Sequence, residues 1–171
     1  VREVVGYCRD LGWTDPLVVP PSAPPAGEPA APAECVSLEQ LGALAADCTL
    51  CRLAEGRRHV VFGEGSPDAR LMLVGEEPGA NEDRTGRPFV GEAGHLLDLM
   101  IAALGLERRD VYIANVVKCR PPGNRTPTPE EADACSPYLD RQVDLIRPAV
   151  IVAMGRPAAH RLTGSRAGIA A

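Results

Sequence analysis

The chain has 171 residues, enough for one globular domain with an appendage, and its 45% apolar content is ordinary for a folded protein. Its 18 basic and 23 acidic residues give a net charge of −5, which argues against nucleic-acid binding through overall charge, although Lys118, Arg120 and Arg125 form a small basic island. No apolar run reaches the roughly 18 residues of a membrane helix, and no basic start leads into an apolar stretch, so neither a membrane span nor a signal peptide is predicted.

The first 36 residues are predicted to form an arm and a linker outside the folded domain. Apolar residues have helical spacing over residues 1–13, and seven prolines then follow between Pro16 and Pro32. Proline lacks an amide donor and fixes φ, so this stretch is expected to be extended and semi-rigid. Cys8 and Cys35 lie in this region and are predicted to be unligated.

The domain is predicted to run from residue 37 to residue 171 and to alternate helices with short apolar strands. Ser37 and Gln40 have the spacing of a capping box, as do Thr128 and Glu131. The predicted elements are helices over 38–46, 92–104, 129–146 and 155–162, and strands over 71–74, 111–117 and 149–154. Such alternation is typical of an α/β protein with a parallel sheet covered on both faces, whose ligand crevice lies beyond the carboxyl ends of the strands.

Six cysteines without a secretory signal favour a reducing cytoplasm, and metal binding or catalysis rather than disulfides. Cys48 and Cys51 form a C-x-x-C pair, Cys119 follows the second strand, and Cys135 lies early in the next helix. Four thiolates suit zinc and an iron–sulfur cluster equally well, although the second close pair of a zinc ribbon is absent. The alternative is that Cys119 and Cys135 are ordinary buried thiols.

Polar and aromatic residues are predicted to meet at the carboxyl edge of the sheet. The glycine- and proline-containing turn at residues 75–79 carries two glutamates, which could order a water or bind a base, or could form a solvated acidic turn. Phe89 lies in a glycine-rich loop, where it could stack on a base or anchor the loop. Asn115 lies in an apolar strand, and its amide could read a pyrimidine edge or serve the fold alone.

Taken together, these segments resemble the family-4 (iron–sulfur) uracil-DNA glycosylases. The match covers about residues 44 to 162, and the order and spacing of its motifs are specific. The motifs are Cys48-Thr-Leu-Cys51, Val74-Gly-Glu-Glu-Pro-Gly79 with Glu82-Asp83, Gly86-Arg-Pro-Phe-Val-Gly91, Asn115-Val-Val-Lys-Cys-Arg-Pro-Pro122 and Cys135.

The resemblance implies a three-layer α/β sandwich with a mostly parallel central sheet, and excision of uracil from DNA by hydrolysis of the N-glycosidic bond. It implies a [4Fe–4S] cluster on Cys48, Cys51, Cys119 and Cys135. Phe89 would stack on the extruded uracil and Asn115 would bind its edge, with Glu76 and Glu77 as the catalytic pair. The implied substrate-binding residues are Gly75, Glu76, Glu77, Pro78, Gly79, Asp83, Phe89 and Asn115. The expected partner is uracil-containing DNA, bound by a cytoplasmic monomer.

Two features depart from the family pattern. Glu77 stands where the family usually has alanine or glycine. Family members also continue to a His-Pro segment whose histidine stabilises the leaving uracil, and no such motif precedes Ala171, so we expect the last strand and helix to be missing. An iron–sulfur protein that binds uracil-DNA with little or no turnover is therefore an alternative. A zinc-stapled module without a nucleic-acid role is a third interpretation.

Overall fold

A computed structural model describes residues 31–164, so Cys8 and the predicted helix over residues 1–13 lie outside the described part of the chain. None of the helices within residues 31–164 is long and apolar enough to cross a membrane. The elements are α1 (Leu38–Ala46), α2 (Leu53–Gly56), β1 (Glu64–Gly65), β2 (Leu71–Gly75), α3 (Ala80–Thr85), α4 (Glu92–Ala103), β3 (Tyr112–Asn115), α5 (Pro129–Ile146), β4 (Val150–Ala153) and α6 (Arg156–Thr163). Short 3-10 helices lie at Pro32–Glu34, Arg108–Asp110 and Pro122–Asn124.

The sheet has the strand order β1-β3-β2-β4 and is mostly parallel, as predicted. Strand β2 pairs in parallel with both β3 and β4, whereas the two-residue β1 pairs antiparallel with β3 at the edge. The register sets Gly75 opposite Asn115. The carboxyl ends of β2 and β3 therefore lie side by side, which brings the segments that follow them to one place.

Consecutive residues of a strand point to opposite faces of the sheet. Both faces carry apolar side chains here, and helices cover both of them. Met72 and Val74 belong to a core cluster on one face that includes residues of α1 and α5. Leu73 lies on the other face, where it packs with Leu97 and Ile101 of α4. The predicted α/β sandwich of three layers is thereby confirmed.

A residue just before the predicted boundary at residue 37 packs with the domain. Cys35, assigned to the arm, is only 2% exposed and belongs to the core cluster that contains α1 and α5. Arg141 of α5 donates a hydrogen bond from Nε to the Cys35 carbonyl oxygen at 2.8 Å. Cys35 therefore packs with the domain, and the boundary at residue 37 stays a prediction.

Of the two predicted capping boxes, the one at α5 forms completely and the one at α1 forms in part. At α5 the Thr128 hydroxyl accepts from the Glu131 amide at 3.3 Å, and the Glu131 carboxylate accepts from the Thr128 amide at 2.9 Å, so this predicted box is confirmed. At α1 the Ser37 hydroxyl accepts from the Gln40 amide, but the Gln40 side chain accepts from Val36 rather than from Ser37. The helix begins at the predicted residue in both cases.

Candidate functional site

The segments that leave β2 and β3 remain paired beyond the strands. The Val116 amide donates to the Gly75 carbonyl oxygen at 2.9 Å, and the Val117 amide donates to the Glu76 carbonyl oxygen at 3.2 Å. These bonds fix the start of the turn at residues 75–79 beside the end of β3. The structure thus brings the predicted glutamate turn and Asn115 to one edge of the sheet.

Phe89 lies against the floor of this crevice. A β-carbon at Gly75 would lie 2.4 Å from Cζ of Phe89 and 2.5 Å from Oδ1 of Asn115, so only glycine permits this approach. A β-carbon at Gly94 would likewise lie 1.9 Å from the Phe89 carbonyl oxygen, which lets the start of α4 pack onto the loop. The aromatic ring and the Asn115 amide are consequently neighbours across Gly75.

Polar atoms without hydrogen-bond partners gather at the same edge. Asn115 is 1% exposed, and neither its amide nitrogen nor its amide oxygen has a partner among the described residues. One buried carboxylate oxygen of Glu76 and one of Glu77 are also unpartnered. A buried amide without partners is unfavourable, and such groups call for a ligand or water. A paired donor and acceptor, two acids and an aromatic ring can together accommodate a planar polar molecule.

Glu77 binds its proton more tightly than an ordinary glutamate does. Burial, the neighbouring Glu76 charge and a proton shared with the Glu76 carboxyl raise the pKa of Glu77 to about 7.

This raised pKa predicts a pH-dependent loss of stability. The folded protein holds the Glu77 proton up to a pH of about 7, whereas the unfolded chain releases it near the ordinary value of 4.5. The free energy of unfolding should fall as the pH rises between these values. We expect the Glu77→Gln variant to lack this component and to be more stable than the wild type at pH 8, measured by urea denaturation across the range. A parallel pH dependence in the two proteins would contradict this.

The two acids of α3 stabilise loops around the crevice. Glu82 accepts hydrogen bonds from the amides of Val90 and Gly91, both at 2.8 Å, through a single carboxylate oxygen. Asp83 is buried, and its carboxylate accepts from the Arg58 amide at 2.8 Å. The contact gives Asp83 a part in the fold, and its role in substrate binding stays a prediction. Pro78 is buried and Gly79 precedes α3, within the turn that carries the glutamates.

The four cysteines predicted as ligands line one cavity. Cys48 and Cys51 come from the segment between α1 and α2, Cys119 from the segment after β3, and Cys135 from α5. Tyr138 also lines this cavity. None of the four cysteines forms a disulfide with another described residue. Cysteines up to 87 positions apart in the chain thus line one cavity, and their role as ligands stays a prediction.

Hydrogen-bond donors point at two of these sulfur atoms. The Lys118 amide donates to Sγ of Cys135 at 3.3 Å, and Nη1 of Arg57 donates to Sγ of Cys119 at 3.5 Å. Burial raises the pKa of Cys119, and it raises that of Cys135 to about 11, so both are thiols unless a cation is present. Within residues 31–164, no group of three or more His, Cys, Asp or Glu side chains is arranged to hold a single metal ion.

Glu131 of α5 forms ion pairs that hold the segment between β3 and α5, in which Cys119 lies. Its carboxylate accepts hydrogen bonds from Arg125 at 2.7 and 2.8 Å and from Arg52 at 3.0 Å. The hydrogen bonds from Arg125 hold the pKa of Glu131 down to about 2. Arg125 of the predicted basic island is therefore occupied by an ion pair within the fold.

Lys118 was predicted to form a basic island with Arg120 and Arg125, and this prediction is wrong for Lys118 because its side chain is buried. It is 2% exposed, and its ammonium donates to the Asn115 carbonyl oxygen at 2.8 Å and to Oε1 of Gln142 at 2.5 Å. The Gln142 amide in turn donates to the Phe62 carbonyl oxygen at 2.9 Å and to the Tyr112 hydroxyl at 3.1 Å. Burial lowers the pKa of Lys118 to about 8. Through the Lys118 ammonium, this buried network holds the carbonyl group of Asn115 in place.

The network predicts a strong dependence of stability on Gln142. Gln142→Leu leaves the buried Lys118 ammonium with one acceptor fewer, and we expect a loss of about 2–3 kcal/mol in the free energy of unfolding. The double variant Lys118→Met/Gln142→Leu should recover part of this loss, because it removes the unpaired charge. Urea denaturation followed by circular dichroism measures both. A double variant less stable than Gln142→Leu alone would contradict the prediction.

Comparison with known proteins agrees with this geometry. Residues 62–169 match the family model described as the uracil DNA glycosylase superfamily, and the chain belongs to that superfamily. It is similar to the type-4 uracil-DNA glycosylase of Sulfurisphaera tokodaii, with 57% identity over 121 residues, which are 70% of this chain and 55% of that protein.

Further relatives give the same result. The type-4 uracil-DNA glycosylase of Thermotoga maritima is 58% identical over 111 residues, which are 65% of this chain and 58% of that protein. The type-5 uracil-DNA glycosylase of Thermus thermophilus is 38% identical over 117 residues, covering 60% of this chain and 53% of the relative. The chain spans little more than half the length of these curated relatives. The resemblance recognised in the sequence motifs is confirmed.

Proposed function

We propose that this protein excises uracil from DNA by hydrolysing the N-glycosidic bond. The observation that carries the proposal is the buried Asn115 amide, both of whose polar atoms lack partners, beside the Phe89 ring at the strand ends. The similarity to type-4 uracil-DNA glycosylases supports the same activity. A base must leave the duplex before an enzyme can reach its glycosidic bond, and this crevice has the components to receive one.

The crevice residues suit the parts of this reaction. Phe89 offers a face on which an extruded base stacks. The Asn115 amide pairs with the edge of uracil, and its N–H stabilises the negative charge that develops on the departing base. The unpartnered Glu76 oxygen is suited to accept a hydrogen bond from the attacking water. Glu77, whose pKa is raised to about 7 by burial and by the neighbouring Glu76 charge, can hold a proton beside that carboxylate near neutral pH.

We further infer that Cys48, Cys51, Cys119 and Cys135 hold a [4Fe–4S] cluster. Support comes from four thiols around one cavity and from two hydrogen-bond donors directed at sulfur, which thiolate ligands of such clusters commonly receive. The bound cluster would link α5 to the segments around α2 and after β3. It would serve the fold and take no part in hydrolysis.

A paired assay of anaerobically purified protein tests the proposal. Release of free uracil from a uracil-containing oligonucleotide, with none of the thymine counterpart cleaved, is the expected result. A gel-shift assay on the same oligonucleotides identifies the alternative of binding without turnover. Iron and sulfide analysis, together with visible absorbance, tests the cluster independently of activity. Equal treatment of uracil and thymine would overturn the proposed function.

A further inference from the structure

The loop that carries Phe89 has an unfavourable backbone conformation. Phe89 has φ of 51°, in the left-handed region that bulky side chains rarely adopt. The absence of a β-carbon at Gly94 permits this conformation, but it does not enforce it. Strained residues of this kind persist when surrounding contacts hold them, and they concentrate at functional sites. Some group must therefore keep the Phe89 backbone in place.

The guanidinium of Arg108 contacts this loop directly. Its Nη2 donates to the Pro88 carbonyl oxygen at 2.6 Å, and its Nη1 donates to the Phe89 carbonyl oxygen at 3.1 Å. One planar group thus binds two successive carbonyls on either side of the strained torsion. Lysine has no comparable fork of donors, so it cannot make both contacts in this geometry.

Acidic residues from two other elements hold the Arg108 side chain. Its Nε donates to Glu64 of β1 at 2.8 Å, and its Nη1 donates to Asp98 of α4 at 2.8 Å. Glu64 also accepts two hydrogen bonds from Arg87, at 2.8 and 3.0 Å. The Arg108 side chain is 21% exposed, whereas that of the adjacent Arg109 is 75% exposed and pairs with Glu107. Arg108 is therefore part of the packed structure, and Arg109 is a matched surface residue.

We propose that Arg108 is a positioning residue, whose guanidinium holds the Phe89 loop so that the ring is set for stacking on an extruded base. The proposal rests on the function proposed above, and it adds a residue outside the motifs that identify the family. No described hydrogen bond joins Arg108 to the side chains of Glu76, Glu77 or Asn115. Because its contacts reach the crevice only through the Pro88 and Phe89 carbonyls, its effect should appear in recognition of the base.

The test compares Arg108→Met and Arg108→Lys with Arg109→Met as the control. Affinity is measured for two oligonucleotides, one containing 2′-fluoro-2′-deoxyuridine, which resists cleavage, and one containing an abasic site. We expect the Arg108 variants to lose about 10–100-fold in affinity for the uracil oligonucleotide, because small displacements of positioned groups have effects of this order. Affinity for the abasic oligonucleotide, where no base stacks on Phe89, should be unchanged, as should both affinities of Arg109→Met.

Other outcomes would show whether the role of Arg108 or the proposed function itself is wrong. Equal losses for the uracil and abasic oligonucleotides would show a general structural role for Arg108 and overturn the proposal, as would wild-type affinity in both Arg108 variants. If Arg108→Met does not fold, Asp98→Asn, which removes one anchor and leaves Arg108 in place, should show a smaller loss confined to the uracil oligonucleotide. A wild-type protein that does not distinguish uracil from thymine would overturn the proposed function itself, and with it the stacking role.

Discussion

Replacement of Asn115 by alanine is expected to lower the rate of uracil excision by about 10²–10³-fold, the loss typical of a single donor to developing charge. The residue is suited to this role because its buried amide has no partner within the fold, so both polar atoms are available to a ligand. For the same reason Asn115→Ala should leave the folded protein at least as stable as the wild type, since it removes buried polar atoms that lack partners. Single-turnover kinetics and urea denaturation measure the two effects.

Asn81→Ala is a suitable control for this experiment. Asn81 is exposed on α3. The hydrogen bond described for its side chain is accepted from Arg84 at 3.5 Å. Its removal should change neither the rate nor the stability appreciably. A rate for Asn115→Ala near that of Asn81→Ala would contradict the assigned role. A large loss of stability in Asn115→Ala would indicate that the amide serves the fold.

Replacement of Cys135 by alanine is expected to abolish the visible absorbance of the protein and to leave little folded material. Metal binding free energy is also folding free energy, and domains of this size are stable by only about 5–15 kcal/mol. Cys135 of α5 lines the same cavity as the three cysteines of the other segments, so loss of this ligand disconnects the longest helix from them. Iron content, absorbance and urea denaturation of anaerobically purified protein report the result.

Cys35→Ala separates this effect from the loss of any buried cysteine. Cys35 is also buried, at 2% exposed, but it does not line the cavity. This variant should keep the wild-type iron content and absorbance and lose only the modest stability associated with a smaller core side chain. Equal iron content in Cys135→Ala and Cys35→Ala would contradict the assignment of the cluster ligands.

Much of the fold could be predicted because its signals are local. The reciprocal cap of Thr128 and Glu131 marks the start of α5, and the alternation of apolar strands with amphipathic helices indicates a parallel sheet. From that topology alone, the ends of β2 and β3 were expected to meet, which placed Gly75 and Asn115 together. The elements missed from the sequence, such as the two-residue β1, are too short to have a periodic pattern.

The supporting residues of the site could not be predicted in this way. Arg108 contacts Glu64, 44 positions earlier, and Gln142 contacts Phe62, 80 positions earlier, so no local pattern connects them. The closeness of Lys118 to Arg120 and Arg125 in the sequence predicts a basic island, yet two acceptors stabilise Lys118 in the core. Chemistry-bearing residues had recognisable motifs, whereas the residues that hold them in place depend on tertiary contacts.

Lys118 contacts both functional regions: its amide meets Cys135, and its ammonium meets the backbone of Asn115. The two regions therefore cannot relax independently, since a shift of the sulfur atom displaces a residue that also supports the amide at the crevice. A displacement of the Cys135 sulfur atom, such as removal of the proposed cluster would cause, should consequently reach the Asn115 backbone through this one lysine.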